Sequence, residues 1–349
     1  MPSNGEDLVI FMLVHVNDSL VAINSLSLYH WILAEMNKCI EVVDQGAVSL
    51  YLGIQITRNC SKRKLWLSQY PFIVDLLTSH NLMNAHSSPI PLRHLLHDLL
   101  PVPAGSLPDV SDDNVRVHFQ HLVGSLLYLT ICMCPNISYT AMGLGQFNAN
   151  PTRLHLLAAK GVLRYLLGTM DFALEYNFEQ APVGNPTSLF FLTNCGFSDA
   201  DWASDKSSHH SVSGFTFFLY GSLISWSALL QCTVALSSTE AEYMALAYAL
   251  KDGTWIRLFL IILGLPNPSP FPILCDNQST LNIANSEATH SRSKHIDVRH
   301  HFIKDLIASG AFATSWVSTL DMVTDIFTKP LPPVLHKKHC TSLGLVRLP

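Results

Sequence analysis

Four short strings hold the acids best placed to do chemistry together: Ser198-Asp199-Ala200-Asp201-Trp202-Ala203, Ser237-Ser238-Thr239-Glu240-Ala241-Glu242-Tyr243, Cys275-Asp276-Asn277-Gln278-Ser279 and Thr324-Asp325-Ile326-Phe327-Thr328-Lys329-Pro330. Each string ends or opens an expected element, so folding can bring its acid to a shared place. Carboxylates gathered at close range raise one another's pKa unless cations neutralise them. Mg2+ suits such a site because it takes hard oxygen ligands and completes its shell with water and substrate phosphates. Two ions about 4 Å apart can activate an attacking water and stabilise a leaving oxygen, so phosphodiester cleavage is the chemistry this pattern favours.

The elements that must position these acids are legible in the same stretch. A strand ends at Asp199, and a hairpin follows, Gly214 to Tyr220 and Leu223 to Trp226, turning at Tyr220-Gly221-Ser222. A long helix comes next. Ser237 with Glu240 three residues on forms a capping box, which gives Glu240 a structural task. Glu242 has no such task and shares a helix face with Ala245, Leu246 and Ala249, a face that must lie against the sheet. A carboxylate held there needs a cation. The short strand Phe271 to Cys275 puts Asp276 at its carboxyl end, where ligands of α/β sheets gather, and a helix follows from Asn277.

Upstream, an apolar strand from Leu8 to Val14 reaches His15-Val16-Asn17-Asp18, and a second strand, Ser19 to Ala22, closes a hairpin. Leu50 to Ile56 reads as one strand, and Lys62-Arg63-Lys64 sits in the turn before Leu65-Trp66-Leu67. Arg93 to Val115, rich in Pro, Gly, Ser and Asp, reads as a linker or surface loop. Helical periodicity runs from Phe119 to Ile131 and from Pro151 to Leu167, and a second loop, Glu179 to Thr187, places a domain boundary near 180.

A chain of 349 residues has room for two or three domains. Charged residues make up only 13% of it, against about 25% for an ordinary soluble protein. The net charge of −5 supplies no global basic footprint, so nucleic-acid binding would rest on local patches. No apolar run reaches the roughly 20 residues needed to span a bilayer, and the first residues lack the pattern of a secretion signal. A soluble, intracellular protein without membrane contact is the expectation. The eight cysteines show neither disulfide framework nor zinc-site spacing and read as reduced, buried thiols.

The chain resembles the carboxy-terminal part of a copia-type long-terminal-repeat retrotransposon Pol polyprotein. Beside the acid strings, the resemblance rests on Leu122-Val123-Gly124-Ser125-Leu126-Leu127-Tyr128-Leu129, Leu163-Arg164-Tyr165-Leu166-Leu167-Gly168-Thr169, Val234-Ala235-Leu236-Ser237-Ser238-Thr239-Glu240-Ala241-Glu242-Tyr243 and Ser293-Lys294-His295-Ile296-Asp297. It covers nearly the whole chain. It implies an α/β (α+β) architecture: a ribonuclease H-like five-stranded mixed sheet with flanking helices, whose first and fourth strands are adjacent and parallel. Three parts follow: 1–92, a truncated reverse transcriptase palm and thumb remnant; 93–180, a linker and helical connection region; and 181–349, the ribonuclease H-like domain. Carried over by position, Asp199 and Asp276 are the central metal ligands, Glu242 a ligand on the helix beneath, and Asp325 the fourth acid. They would hold two Mg2+ ions, or Mn2+ in their place. Asp201, expected beyond the strand end where the pleat no longer directs it, is the weaker rival, with a solvated or capping role. Asp297 is expected on a helix flank with Arg299 as a surface ion pair.

The implied activity is Mg2+-dependent cutting of the RNA strand of an RNA–DNA hybrid, leaving a 3′-hydroxyl and a 5′-phosphate. The hybrid's minor groove displays its 2′-hydroxyls, and its phosphates would meet Arg292, Lys294, Arg299 and Lys304, or Lys329, Lys337 and Lys338 in the tail. The rest of a Pol polyprotein, or an intact polymerase, is the implied protein partner. Where polymerases of this family carry a Tyr-x-Asp-Asp turn, this chain has His15-Val16-Asn17-Asp18, and Asn17 cannot supply an anionic ligand. The partner aspartate of the preceding palm strand would lie upstream of Met1, so reverse transcriptase activity is expected to be absent. Gly53 and its neighbours resemble the primer-grip strand, and Gln69 to Leu82 part of the thumb.

Basic positions of the family are also replaced. Met133-Cys134-Pro135-Asn136 stands where relatives have Thr-Arg-Pro-Asp, His209-His210 replaces arginines, and Leu229-Leu230 replaces lysines. Arg to Cys or His, and Asp to Asn, are outcomes of single C-to-T or G-to-A changes, and the count of 17 His agrees. The hypothesis is a decaying element copy; random transversions at these codons in the coding DNA would refute it. Two functional classes therefore stand: the hybrid nuclease, and a non-catalytic remnant with at most weak nucleic-acid binding. A retroviral-type integrase on the same fold uses fewer acids in another order, and the quoted strings disfavour it.

Overall fold

A computed structural model describes residues 8–92, 99, 113–177, 194–205, 208–267, 269–286 and 294–349, without the side chains of 113 and 294–298. The chain divides into two compact units, Met1–Thr57 and Arg58–Pro349.

In the first unit, β1 (Ile10–His15) and β2 (Asp18–Ile23) pair antiparallel from Ile10↔Ile23 to His15↔Asp18, which leaves Val16-Asn17 as the turn. Helix α1 (Leu26–Met36) follows, its Ser25 cap accepting from the Leu28 N–H. The run from Leu50 to Ile56, expected as one strand, is instead a hairpin of β3 (Leu50–Tyr51) and the start of β4 (Ile54–Asn59). Leu52 and Gly53 have φ of 49° and 78°. Left-handed conformation at both central residues is what a two-residue hairpin turn requires. A continuous apolar run carries no mark of that reversal beyond the single glycine.

The second unit opens with β5 (Lys64–Ser68), α2 (Tyr70–Ser79), α3 (Asp113–Cys132), α4 (Ser138–Gly145), α5 (Arg153–Thr169) and β6 (Phe172–Asn177). Ile73, Leu77, Leu122, Leu126, Leu144 and Val162 from the four helices close one apolar core. Helix α3 begins at Asp113, inside the segment expected as a linker; most of that segment, like Glu179 to Thr187 and the expected boundary near 180, lies outside the described residues.

The acids sit on the remaining elements: β7 (Cys195–Asp201), β8 (Val212–Leu219), β9 (Ser222–Leu230), α6 (Ser238–Ile262), β10 (Phe271–Cys275), α7 (Gln278–Asn285), α8 (Lys294–Ala308), β11 (Phe312–Trp316), the single turn α9 (Asp325–Thr328), α10 (Pro333–Ser342) and β12 (Leu345–Arg347). Five of the strands form a mixed sheet in the order β11-β10-β7-β8-β9. β7, β8 and β9 are antiparallel neighbours, while β10 runs parallel to both β7 and β11. β8 is buried along nearly its whole length because both sheet faces are covered. Phe215 and Phe217 pack with Leu246 and Leu250 of α6 on one face; Phe218 packs with Phe327 and Leu343 on the other. A central strand covered on both sides buries even its small polar residues, as Ser213 and Thr216 show.

The tail ties back to the helical part. β12 pairs antiparallel with β6, which also pairs with β5. The Trp226 indole donates to the Thr130 carbonyl at 2.7 Å. Asn136 donates to the Tyr165 hydroxyl at 2.6 Å, and its carbonyl lies 3.2 Å from His336 Nε2. The polar residue of Met133-Cys134-Pro135-Asn136 is thus an interior fastener. None of the eight cysteines is in a disulfide; Cys134, Cys195, Cys275 and Cys340 are buried, but Cys39, Cys60 and Cys232 are exposed, so burial describes only half of them.

Candidate active site

Asp199 sits on β7 opposite Gly214 of β8 and is almost fully buried. On its other side, β10 pairs with β7 through Ile273↔Gly196 and Leu274↔Phe197. Continuing that register by two residues sets Asp276 beside Asp199. Asp276 follows the last residue of β10, where the strand has ended and the chain turns into α7. The Thr319 hydroxyl donates to its Oδ2 at 2.8 Å, and the Trp316 indole donates to its carbonyl at 3.1 Å.

Glu242 lies in the second turn of α6, on the face pressed to the sheet. The helix starts where the sequence places it: the Ser237 hydroxyl accepts from the Glu240 N–H at 3.2 Å. Glu240 itself reaches back to the Leu236 N–H at 2.8 Å, one residue beyond the Ser237 N–H that a capping box uses. That cap fixes the phase of the helix and so the inward direction of Glu242. Its carboxylate accepts from the Ala200 N–H, and Cys275 Sγ lies 3.9 Å from its Oε2. One ligand atom each from Glu242, Cys275 and Asp276 fall within 4.8 Å of one another.

Asp325 opens α9 and comes from the far side of the sheet. The Thr328 hydroxyl of the same turn donates to Asp199 Oδ2. Lys329, next in the chain, sets its Nζ 2.8 Å from Asp325 Oδ1 and 3.8 Å from Asp199 Oδ2. α9 can come this close only because residue 214 is a glycine. A Cβ there would meet Thr328 Cγ2 at 2.8 Å and Phe327 Cβ at 2.9 Å. Gly214→Val is therefore expected to push α9 off the sheet and cost roughly 1–3 kcal/mol of stability, as overpacking does. A denaturant midpoint equal to wild type's would show that α9 is not seated there.

Charge couples the four acids. Burial raises the pKa of Asp199, which Lys329 and the Thr328 hydroxyl oppose and Asp276 reinforces. Burial, then Asp199 and Asp276, push Glu242 up to about 10. Asp325 is pushed up to about 7 by burial and then by Asp199, against the pull of Lys329. Burial disfavours the Lys329 charge, yet Asp199 and Asp325 overcome it and hold the ammonium protonated. Asp199 is the hub: each of the other three acids senses it or is sensed by it. Buried carboxylates held this close resist full ionisation, so the set fits divalent cations, which would remove the repulsion.

Asp201 departs from expectation. β7 continues through it, paired with Val212, so the pleat does direct it, to the same side as Asp199. It adds to the negative field around Lys329. Of the basic residues expected to meet phosphates, Arg292 lies outside the described residues, and Lys294 opens α8 with its side chain undescribed. The Arg299 guanidinium stands over the Tyr248 ring at 6.0 Å, and Lys338 pairs with Asp321 at 3.1 Å. Lys329 is turned onto the acids. His15, Val16, Asn17 and Asp18 are exposed at the β1–β2 turn of the other unit, with Val16 at φ 55°. Sequence reasoning passed over Cys275, Thr319 and Thr328. Cys275 and Thr328 lie inside the quoted strings, but a hydroxyl or thiol beside an acid carries no signal until the backbone is placed.

Comparison with known proteins decides the family. Over 341 residues the chain is 35% identical to the retrovirus-related Pol polyprotein from transposon RE1 of Arabidopsis thaliana, covering 98% of this chain and 22% of that protein. It is 33% identical to the Pol polyprotein from transposon TNT 1-94 of Nicotiana tabacum, over 94% of this chain and 24% of that one. The chain belongs to the copia-type retrovirus-related Pol polyproteins of transposons. It spans about a fifth to a quarter of the length of these Pol relatives. An uncharacterised mitochondrial protein of A. thaliana, AtMg00810, is 34% identical over 70% of this Pol fragment and 93% of its own length. No family model matches. Among solved structures, RNase H1 from the halophilic archaeon Halobacterium salinarum NRC-1 aligns with 39% of this chain and 93% of its own at 12% identity, with a TM-score of 0.30. The ribonuclease H-like domain of this Pol fragment is assigned from its own strand order and register. No helix among the described residues is long and apolar enough to cross a membrane.

Proposed function

We propose that Asp199, Glu242, Asp276 and Asp325 hold two Mg2+ ions and that this domain cuts the RNA strand of an RNA–DNA hybrid. The observation that carries the reading is the meeting of Asp199 and Asp276 at the carboxyl ends of two adjacent parallel strands, with Glu242 buried beneath and Asp325 closing over them. When bound, the ions would supply water activation and stabilisation of the leaving oxygen. The chain's own part is to aim the oxygens. Strand register aligns Asp199 with Asp276, the Ala200 N–H and the α6 cap orient Glu242, and the Thr319 hydroxyl holds Asp276. Arg299 and its helix α8 offer the hybrid a basic approach.

The test uses the full chain with an RNA–DNA hybrid labelled on each strand, in Mg2+, in Mn2+ and in EDTA. RNA-strand cuts with 3′-hydroxyl ends, lost in EDTA, are expected. Hybrid binding without cutting in either metal would instead establish the non-catalytic remnant. The polymerase reaction lies outside the proposal, because Asn17 offers a neutral amide at the hairpin tip where a carboxylate is required. Primer extension by the same preparation should stay at background, and templated incorporation would refute that.

A further inference from the structure

We propose that Lys329 is a built-in counter-cation of the acid cluster, standing where one of the two divalent ions would sit, so that this ion must displace the ammonium to bind. The inference rests on the reading of the acids as a metal site.

The contacts divide the site into unlike halves. On one side, Glu242, Cys275 and Asp276 bring ligand atoms within 4.8 Å of one another, and none of the ion pairs among the described residues reaches them. On the other, Asp199 and Asp325 share the Lys329 ammonium at 3.8 and 2.8 Å. The carboxylates are 2% and 6% exposed, whereas the lysine side chain is 31% exposed. The lysine therefore enters from the solvent side and can withdraw without opening the core.

Its backbone is fixed independently of its charge. The Lys329 N–H bonds to the Asp325 carbonyl at 3.1 Å, closing the single turn of α9, and the residue itself is extended. Withdrawal is a change of side-chain rotamer alone. An ion entering beside Glu242 and Asp276 has no ammonium to displace, while one entering beside Asp199 and Asp325 meets oxygens already paired with Lys329. Two ions should consequently bind in order, the second more weakly, and the freed ammonium would then stand at the rim, where a phosphate approaches.

The test is a calorimetric titration of the full chain with Mn2+, without nucleic acid. Lys329→Gln is expected to tighten the weaker step by about tenfold or more, within the range of coupled binding events. Lys329→Arg, which keeps the charge, should stay near wild type. Equal affinities for wild type and Lys329→Gln would overturn the proposal while leaving the metal site standing. Absence of Mn2+ binding, or binding untouched by Asp199→Asn, would remove the metal-site reading itself. Should Lys329→Gln not fold, reductive methylation of wild type decides. The amine at Lys329 should react several-fold faster with Mn2+ present while exposed Lys337 stays constant, and an unchanged rate at Lys329 would overturn the displacement.

Discussion

Asparagine at Asp199 or Asp276 is expected to lower Mg2+-dependent cleavage of the hybrid by about a thousandfold, equivalent to roughly 4 kcal/mol of barrier. Asp199 is held in β7 by its pairing with β8, and Asp276 directly follows β10, the strand parallel to β7, so both acids stand at the centre of the cluster. Asparagine keeps the shape and the hydrogen bond from Thr328 or Thr319, so folding should survive and the loss will report chemistry. Asp325→Asn should cost less, about 10- to 100-fold, the range seen when a supporting contact rather than a central one is removed. Asp325 comes from a single helical turn and already shares its charge with Lys329. Single-turnover rates at saturating Mg2+ measure both. Wild-type rates in Asp199→Asn would end the nuclease assignment, and equal losses at Asp199, Asp276 and Asp325 would end the ranking.

In metal-free buffer, the protein is expected to lose about 1–2 kcal/mol of stability between pH 7 and 8.5. Glu242 is held up at about 10 in the folded chain, against the ordinary carboxylate range when unfolded. A group whose folded pKa lies above its unfolded value contributes stability that is complete below the unfolded pKa and lost as pH rises through the folded one. The unfolded chain ionises Glu242 freely throughout this window, while the native state must keep it protonated or accept a buried charge. His336 and His339, whose burial lowers them to about 4, are neutral in the folded protein and nearly so unfolded above pH 7. Glu242→Gln should therefore flatten the slope. Mg2+ should shrink or reverse it, because metal binding takes the ionised carboxylates and releases protons. Urea midpoints at several pH values test this; a Glu242→Gln slope as steep as wild type's would exclude Glu242 as the source.

Much of the site was legible in the chain because local rules placed it. The Ser237 cap, the Tyr220-Gly221 turn, the Phe271 to Cys275 strand and the Asn277 helix start all lie where the sequence puts them, since caps and turns depend on residues three or four apart. The exceptions share one cause. Leu52-Gly53 reverses the chain inside an apolar run that reads as straight, and Asp201 remains in its strand because β8 extends to meet it. Pairing partners distant in sequence decided both.

The sequence by itself determined which side chains could bind cations, which elements carry them and which family the chain joins. Those properties follow from residue type, short-range periodicity and motif. Only the tertiary structure decided that β7 and β10 align Asp199 with Asp276, that Gly214 lets α9 close over them, and that Lys329 lies between Asp199 and Asp325 rather than facing solvent. The reason is physical: the energy of a charge depends on its burial and on neighbours a few ångströms away, and in this site those neighbours come from strands and helices up to 130 residues apart in the chain.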